Sequence, residues 1–126
     1  MKTKSAKAKG IRLELEIAKT LRDAGLDPMA KKMPRSGAFM GFESDIHTSL
    51  PIMIECKNQE TWKPLEYYSQ AKEHSGVKIP IVVMSRNRSE PYAFLLWADV
   101  VELMAWALKG GWTGDMPFSK RKQVGK

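Results

Sequence analysis

Glu55 and Lys57 stand two residues apart in a run, residues 52–57, whose residues alternate in the manner of a β-strand. Alternation places both side chains on one face of the strand, about 6–7 Å apart along the chain. At that spacing a carboxylate and an ammonium can act on one phosphate and on the water that attacks it. The same pair is also common on half-exposed strands that perform no chemistry, so both interpretations stay open.

A second carboxylate, Asp45, lies in the preceding predicted strand, residues 44–48. The connection between the two runs is short enough for an antiparallel hairpin, which would bring Asp45 across from the region of Glu55. Carboxylate oxygens are hard ligands that suit Mg²⁺, an ion that keeps several waters and bridges to substrate phosphate. Asp45 and Glu55 would hold the ion, while Lys57 would orient the attacking water and offset charge growing on the phosphate.

The elements that must position these residues follow from apolar spacing and from turn residues. Helices are predicted over about residues 9–24, from Pro64 to Gly76, and from Asp99 to about residue 109. Strands are predicted over about residues 29–33, 44–48, 52–57, 79–84 and 92–97. The order α-β-β-β-α-β-β-α is that of a small α/β domain, in which the third and fourth strands become parallel neighbours through the second helix.

Length and composition limit the class of protein further. The chain has 126 residues and a formal net charge of +7, which suits one small domain over residues 1–111 followed by a basic tail over 112–126. Clustered basic residues favour a polyanion as partner, although solvated chain ends have the same composition.

The apolar runs are shorter than the roughly 20 residues of a transmembrane helix, and no secretory signal stands out, so we expect a cytoplasmic protein without a membrane partner. With one cysteine and two histidines, neither a disulfide nor a recognised zinc spacing is available.

Taken together, Asp45, the nine residues that follow it and the sequence Glu55-Cys56-Lys57 resemble the PD-(D/E)XK nuclease superfamily. Ser44 stands where the motif has its proline, a departure that is frequent in the superfamily. The resemblance implies the restriction-endonuclease-like fold, with a central mixed five-stranded sheet flanked by helices. It also implies that Asp45, Glu55 and the backbone carbonyl of Cys56 bind Mg²⁺, for which Mn²⁺ substitutes, and that Lys57 is catalytic.

The amino-terminal residues narrow the resemblance to the archaeal-type Holliday junction resolvases. Lys9-Gly10, three residues, Glu14, one residue and Glu16 are similar to the opening of those enzymes. Glu14 stands at the position of their catalytic glutamate and is thereby implied as a further metal ligand. Helical spacing puts Glu14 at the edge of the apolar stripe, which suits a side chain that reaches into a site and equally one that is solvated.

Substrate contacts are implied around this site. Arg35 and Ser36 fall where the resolvases carry a small mobile loop, and both side chains could bind a substrate phosphate. Gln70, on the second predicted helix, could point a polar head toward the site, as glutamine does in several branches of the superfamily. Lys9 is a fourth candidate for substrate binding. Ordinary surface positions explain Ser36 and Gln70 as well.

The expected function is that of a Mg²⁺-dependent, structure-selective DNA endonuclease that resolves four-way (Holliday) junctions by paired symmetric nicks. A homodimer with two symmetric active sites matches the two equivalent strands of a junction, and we expect the contact near Trp97, Trp106 and Trp112. A phage origin would place the enzyme in the host cytoplasm. A nicking or flap-cutting nuclease of the same superfamily, or a non-catalytic DNA-binding module with this fold, remain the alternatives.

Overall fold

A computed structural model of the chain describes residues 4–33 and 45–111. The predicted contacts at Arg35 and Ser36 lie outside these residues, as do Trp112 and the rest of the basic tail. The backbone groups into two compact units, Met1–Leu95 and Leu96–Lys126. All of the described strands belong to the first unit. That residues 1–111 act as one domain stays a prediction.

The described elements follow the predicted order α-β-β-β-α-β-β-α. They are α1 (Lys4–Asp23), β1 (Lys31–Lys32), β2 (Ile46–His47), β3 (Ile52–Asn58), α2 (Pro64–Ser75), β4 (Ile79–Ser85), β5 (Tyr92–Phe94) and α3 (Trp97–Lys109). Helix α1 begins earlier than predicted because lysine and alanine ahead of Gly10 are good helix formers that outweigh one glycine. Strand β5 ends earlier than predicted because Trp97 already opens α3. Among the described helices, none combines the length and the apolar character that a membrane span requires.

The strands form two sheets, of two and three strands, where the resemblance implied one sheet of five. Strand β3 pairs in parallel with β4, in a register that runs from Ile52↔Ile79 to Asn58↔Ser85. This pairing across α2 confirms the predicted crossover. Strand β4 also pairs antiparallel with β5, so β4 lies at the centre of the larger sheet.

The predicted hairpin of β2 with β3 is not formed as a strand ladder among the described residues, where β2 pairs antiparallel with β1 and β3 pairs with β4. Strand β2 contains two residues, too few to continue as a ladder along β3. The smaller sheet still meets the larger one at Asp45, whose N–H donates to the Ile54 carbonyl at 2.9 Å. The Asp45 carbonyl accepts from the N–H of Met33, also at 2.9 Å. Asp45 therefore joins the two sheets through its own backbone.

Two clusters of buried side chains cover the opposite faces of the larger sheet. The cluster on the α1 side contains Leu13, Ile17, Ala18, Ile46, Ile54 and Val83, with Cys56 packed against it. The cluster on the α2 side contains Met53, Tyr67, Tyr68, Ala71, Val82 and Met84. Because side chains alternate along a strand, Cys56 follows Ile54 to the α1 face. Glu55 and Lys57 follow Met53 to the α2 face.

A buried carboxylate, Asp27, fastens the connection after α1 to the turn after β2. Its Oδ2 accepts hydrogen bonds from the Thr48 hydroxyl at 2.6 Å and from the Ser49 N–H at 3.0 Å. Its Oδ1 accepts from the N–H of Met29 at 3.0 Å. These bonds favour the ionised form, and they lower the pKa of Asp27, with Thr48 contributing most. We call these hydrogen bonds the Asp27 clasp. They fix the carboxyl end of β2, three residues after Asp45.

Candidate active site

Asp45 is bonded to the edge of β3 through both its backbone and its side chain. Its N–H donates to the Ile54 carbonyl, and its Oδ2 accepts from the Cys56 N–H at 2.7 Å. The carboxylate thus occupies the place where a longer β2 would make its next ladder bond. A hydrogen bond between an ionised carboxylate and a backbone N–H is stronger than a neutral one. The position of this carboxylate is therefore fixed relative to β3.

Glu14 lies on the inner face of α1 and is 6% exposed. The Lys32 Nζ, on β1, lies 3.9 Å from its Oε1, and both side chains are largely covered. The neighbouring Glu16 is exposed. Because burying a charge without a partner is costly, the Lys32 ammonium stabilises Glu14 in this position. The structure therefore turns Glu14, and not Glu16, toward the sheet.

The Cys56 thiol lies near the candidate acids. Burial raises its pKa, and the negative charges of Asp45, Glu14 and Glu55 raise it further. A negative charge in the neighbourhood opposes formation of the thiolate. The three acids belong to three separate elements: the residue before β2, helix α1 and strand β3 itself. Of these, the Asp45 carboxylate contacts Cys56 directly, at its backbone N–H.

Lys57 leaves β3 on the α2 face, two residues after Glu55. Its Nζ lies 5.3 Å from the centre of the Tyr67 ring, a distance at which a cation is attracted to the face of an aromatic ring. The Tyr67 hydroxyl in turn donates to the side-chain oxygen of Gln59. Tyr67 therefore packs in the core and also steadies the ammonium group.

Two residues near these acids were missed by the sequence analysis as partners of the site. One is Lys32, a basic residue for which no contact with Glu14 was predicted. The other is Asn58, whose Nδ2 donates to the Lys9 carbonyl at 3.3 Å across 49 positions of sequence. The Asn58 Oδ1 is buried without a hydrogen-bond partner in the described part of the chain. The hydrophobic periodicity of the sequence does not predict such contacts, because each of them joins two elements that are distant in sequence through one polar group.

Comparison with known proteins gives the family. The family model described as "Phage putative PDDEXK endonuclease" matches residues 5–109, a range that contains Glu14, Asp45, Glu55 and Lys57. The chain belongs to this phage endonuclease family. No curated protein and no solved structure matches the chain. Membership confirms the resemblance to PD-(D/E)XK nucleases, and the mixed α/β architecture is consistent with the restriction-endonuclease-like fold.

The two remaining predicted substrate contacts within the described residues, Lys9 and Gln70, differ in where the structure places them. Lys9 lies on α1, where its carbonyl meets Asn58 at the end of β3, close to the strand that carries Glu55 and Lys57. Gln70 is exposed on α2, and no hydrogen bond links it to the acids within residues 45–111. The structure therefore places the backbone of Lys9 at the end of β3, and it shows Gln70 as an exposed residue of α2.

The candidate site offers oxygen ligands that suit Mg²⁺ but do not enclose an ion completely. Within the two described ranges, no three acidic, histidine or cysteine side chains are grouped closely enough to hold an ion by themselves. Mg²⁺ usually takes one or two carboxylates, several waters and substrate phosphate. The hard oxygens of Asp45 and Glu55 and the Cys56 carbonyl match that preference.

Proposed function

We propose that this endonuclease hydrolyses phosphodiester bonds of DNA with Mg²⁺, or Mn²⁺ in its place, held by Asp45 and Glu55. The observation that carries the proposal is the hydrogen bond from the Cys56 N–H to the Asp45 carboxylate, which fixes an acid beside the strand that bears Glu55 and Lys57. A module that only bound DNA would gain nothing from bringing acids toward a polyanion. The ion, when bound, would act as a Lewis acid on the phosphate and lower the pKa of a water.

The protein groups have separate parts in this proposal. Asp45 keeps a fixed position because the Cys56 N–H holds its Oδ2. Glu14 contributes a further carboxylate from α1, where Lys32 limits its movement. Lys57 orients the attacking water and offsets the negative charge that develops on the phosphate. Positioning of this kind reduces the entropy that the reactants lose on the way to the transition state.

We further propose that the preferred substrate is a four-way DNA junction and that the enzyme acts as a homodimer. Support comes from the resolvase-like residues Lys9-Gly10 and Glu14 and from the net charge of +7. A dimer with two-fold symmetry presents two equivalent sites to the two equivalent strands of a junction. Recognition would depend on phosphates and on DNA shape more than on base edges.

Cleavage assays on four DNA substrates test both levels of the proposal. An immobile four-way junction is compared with linear duplex, flap and single-stranded DNA of matched sequence, in Mg²⁺ and in EDTA. Paired symmetric nicks confined to the junction, and lost in EDTA, are expected. Cutting of flap or linear DNA instead would retain the nuclease and contradict the junction preference. Tight junction binding with no cutting under any metal condition would favour a binding module.

Sedimentation at micromolar concentration tests the homodimer. We expect a dimer for the wild type and a monomer for Trp106→Lys, because a lysine in an apolar contact must be desolvated. Leu65→Lys is the matched control, since Leu65 is 78% exposed on α2 and lies outside the proposed contact. A wild-type chain that sediments only as monomer would contradict the dimer.

A further inference from the structure

We propose that two joined loops, residues 59–63 after β3 and residues 86–91 after β4, bind the DNA backbone beside the scissile phosphate through Arg86 and Arg88. We call them the loop pair. The proposal rests on the proposed nuclease function and extends it to a substrate-binding surface that faces phosphates on one side of the cut.

Strand register places the loop pair next to the candidate active site. Because β3 and β4 are parallel, both loops leave the sheet at the same edge. Lys57 is level with Met84, and Asn58 is level with Ser85, the residue before Arg86. At about 3.3 Å per residue, Arg86 begins about 7 Å beyond the level of Lys57. A DNA strand carries one phosphate per roughly 3.4 Å of helix axis, so this offset corresponds to about two nucleotides.

Hydrogen bonds hold the two loops together. The Trp62 Nε1–H donates to the Gln59 carbonyl at 2.8 Å and to the Ser85 carbonyl at 3.1 Å. Glu60 Oε2 accepts from the Asn87 N–H at 3.0 Å. The first loop thereby fixes the second from both its start and its tip. A surface organised in this way loses little entropy when it binds a ligand.

Arg86 is prepared to meet a phosphate. Its guanidinium carbon lies 4.4 Å from the centre of the Trp62 ring, and Trp62 itself packs against Tyr92 with ring centres 5.7 Å apart. Stacking on an aromatic face leaves the N–H groups at the guanidinium edge available, and these match phosphate oxygens in pairs. Arg86 is exposed, and it forms no ion pair with any carboxylate in residues 4–33 or 45–111.

Arg88 occupies a backbone position that suits glycine better than arginine. The Ser89 N–H donates to the Arg86 carbonyl at 3.1 Å, which closes a tight turn, and Arg88 has φ of 60° within it. Positive φ at the third position of a turn is typical of type II turns, where glycine is favoured. An exposed arginine that is unfavourable for its own turn indicates a role for the side chain outside the turn.

The charge balance of the loop pair favours an anion. Lys63, Arg86 and Arg88 are exposed cations. Lys57 lies near the same end of the sheet, level with Met84. The acids are Glu60 and Glu90, and Glu60 is turned toward the Asn87 N–H. The surface therefore presents two guanidinium groups and one ammonium group against two carboxylates, of which Glu60 is already engaged by the Asn87 N–H, and the net positive charge complements a row of phosphates.

Binding measurements on Arg86→Gln combined with Arg88→Gln test the proposal. Fluorescence anisotropy of a labelled junction in EDTA, at several salt concentrations, reports affinity without cleavage. Each lost phosphate contact reduces the slope of log K against log salt by about 1, so we expect a slope lower by about 2 and a Kd raised at least about tenfold. The matched control is Lys72→Gln combined with Lys78→Gln, two exposed cations toward the opposite end of β4, and it should bind as the wild type does.

Arg88→Gly separates binding from folding. Glycine relieves the positive φ, so this variant should melt at or above the wild-type temperature and still bind DNA more weakly. If loop and control variants share the wild-type Kd and salt slope while the wild type cuts DNA, the loop pair is excluded and the nuclease stands. If the loop variants alone lose affinity and the wild type cuts no substrate, the loop pair stands and the nuclease fails. A wild type that binds no DNA would overturn both.

Discussion

The Asp45 carboxylate and the Cys56 N–H are joined at 2.7 Å, so a candidate metal ligand is held by the main chain of the strand that carries Glu55 and Lys57. The Asp45 backbone makes a second bond to the same strand at Ile54. The position of the Asp45 carboxylate relative to β3 therefore depends on hydrogen bonds to the backbone of that strand. This arrangement lets the charge of Asp45 be removed while its position is kept.

Asp45→Asn should abolish cleavage and preserve the fold. The asparagine oxygen can still accept from the Cys56 N–H, but it lacks the charge that holds a divalent cation. We expect the cleavage rate to fall by at least about 100-fold, with junction affinity in EDTA unchanged. The control is Asp23→Asn, at an exposed acid on α1 that pairs with Lys19. Normal cutting by Asp45→Asn would remove Asp45 from the site.

Glu14→Gln should reduce cleavage, and Glu16→Gln should not. The two positions share a helix, a side-chain type and a charge change, but Glu14 is buried beside Lys32 and Glu16 is exposed. Loss of a supporting group near a metal site commonly costs 10–100-fold in activity, and we expect about that for Glu14→Gln. Single-turnover cleavage in Mg²⁺ measures the effect. Equal rates for the two variants would contradict the assignment.

Apolar spacing and turn residues predicted the elements whose formation depends on neighbouring residues in the sequence. Pro64 and Gly76 mark the bounds of α2, which ends at Ser75. The apolar run of β4 predicted a strand covered on both faces, and the parallel pairing with β3 followed from the crossover. The partner of β2 could not be predicted in this way, because a two-residue strand carries too little pattern to choose between β1 and β3.

The same limit applies to the polar contacts of the site. Helical spacing placed Glu14 near the buried stripe, yet nothing in the spacing identifies Lys32 as its neighbour. Asp27 reaches Thr48 across 21 positions, and Asn58 reaches Lys9 across 49. Such bonds depend on how whole elements dock, and docking is decided by the summed packing of both cores and not by any short motif.

The Asp27 clasp predicts a pH-dependent contribution to stability. Its hydrogen bonds lower the pKa of the folded carboxyl below the unfolded value of about 3.9. The contribution is therefore complete above the unfolded pKa and is lost as pH falls through the folded pKa. Melting temperatures of the wild type and Asp27→Asn, measured from pH 7 to pH 3, should differ most at pH 7 and converge in acid. A difference that stays constant over this range would contradict the clasp.

Leu13→Ala should destabilise the fold far more than Leu15→Ala. Leu13 is 2% exposed in the α1 cluster, whereas Leu15, on the same helix, is 51% exposed. Removing a buried leucine side chain costs about 2–5 kcal/mol of unfolding free energy through lost transfer and a residual cavity. Urea denaturation of the two variants measures the difference. Similar midpoints for both would show that α1 does not pack on the sheet as described.

The bond between the Met33 N–H and the Asp45 carbonyl also bears on how the chain tolerates changes of length. The backbone leaves residue 33 and returns at residue 45 at neighbouring points, which this bond holds together. We therefore expect that adding or removing residues between these two positions leaves the carboxylate of Asp45 in place.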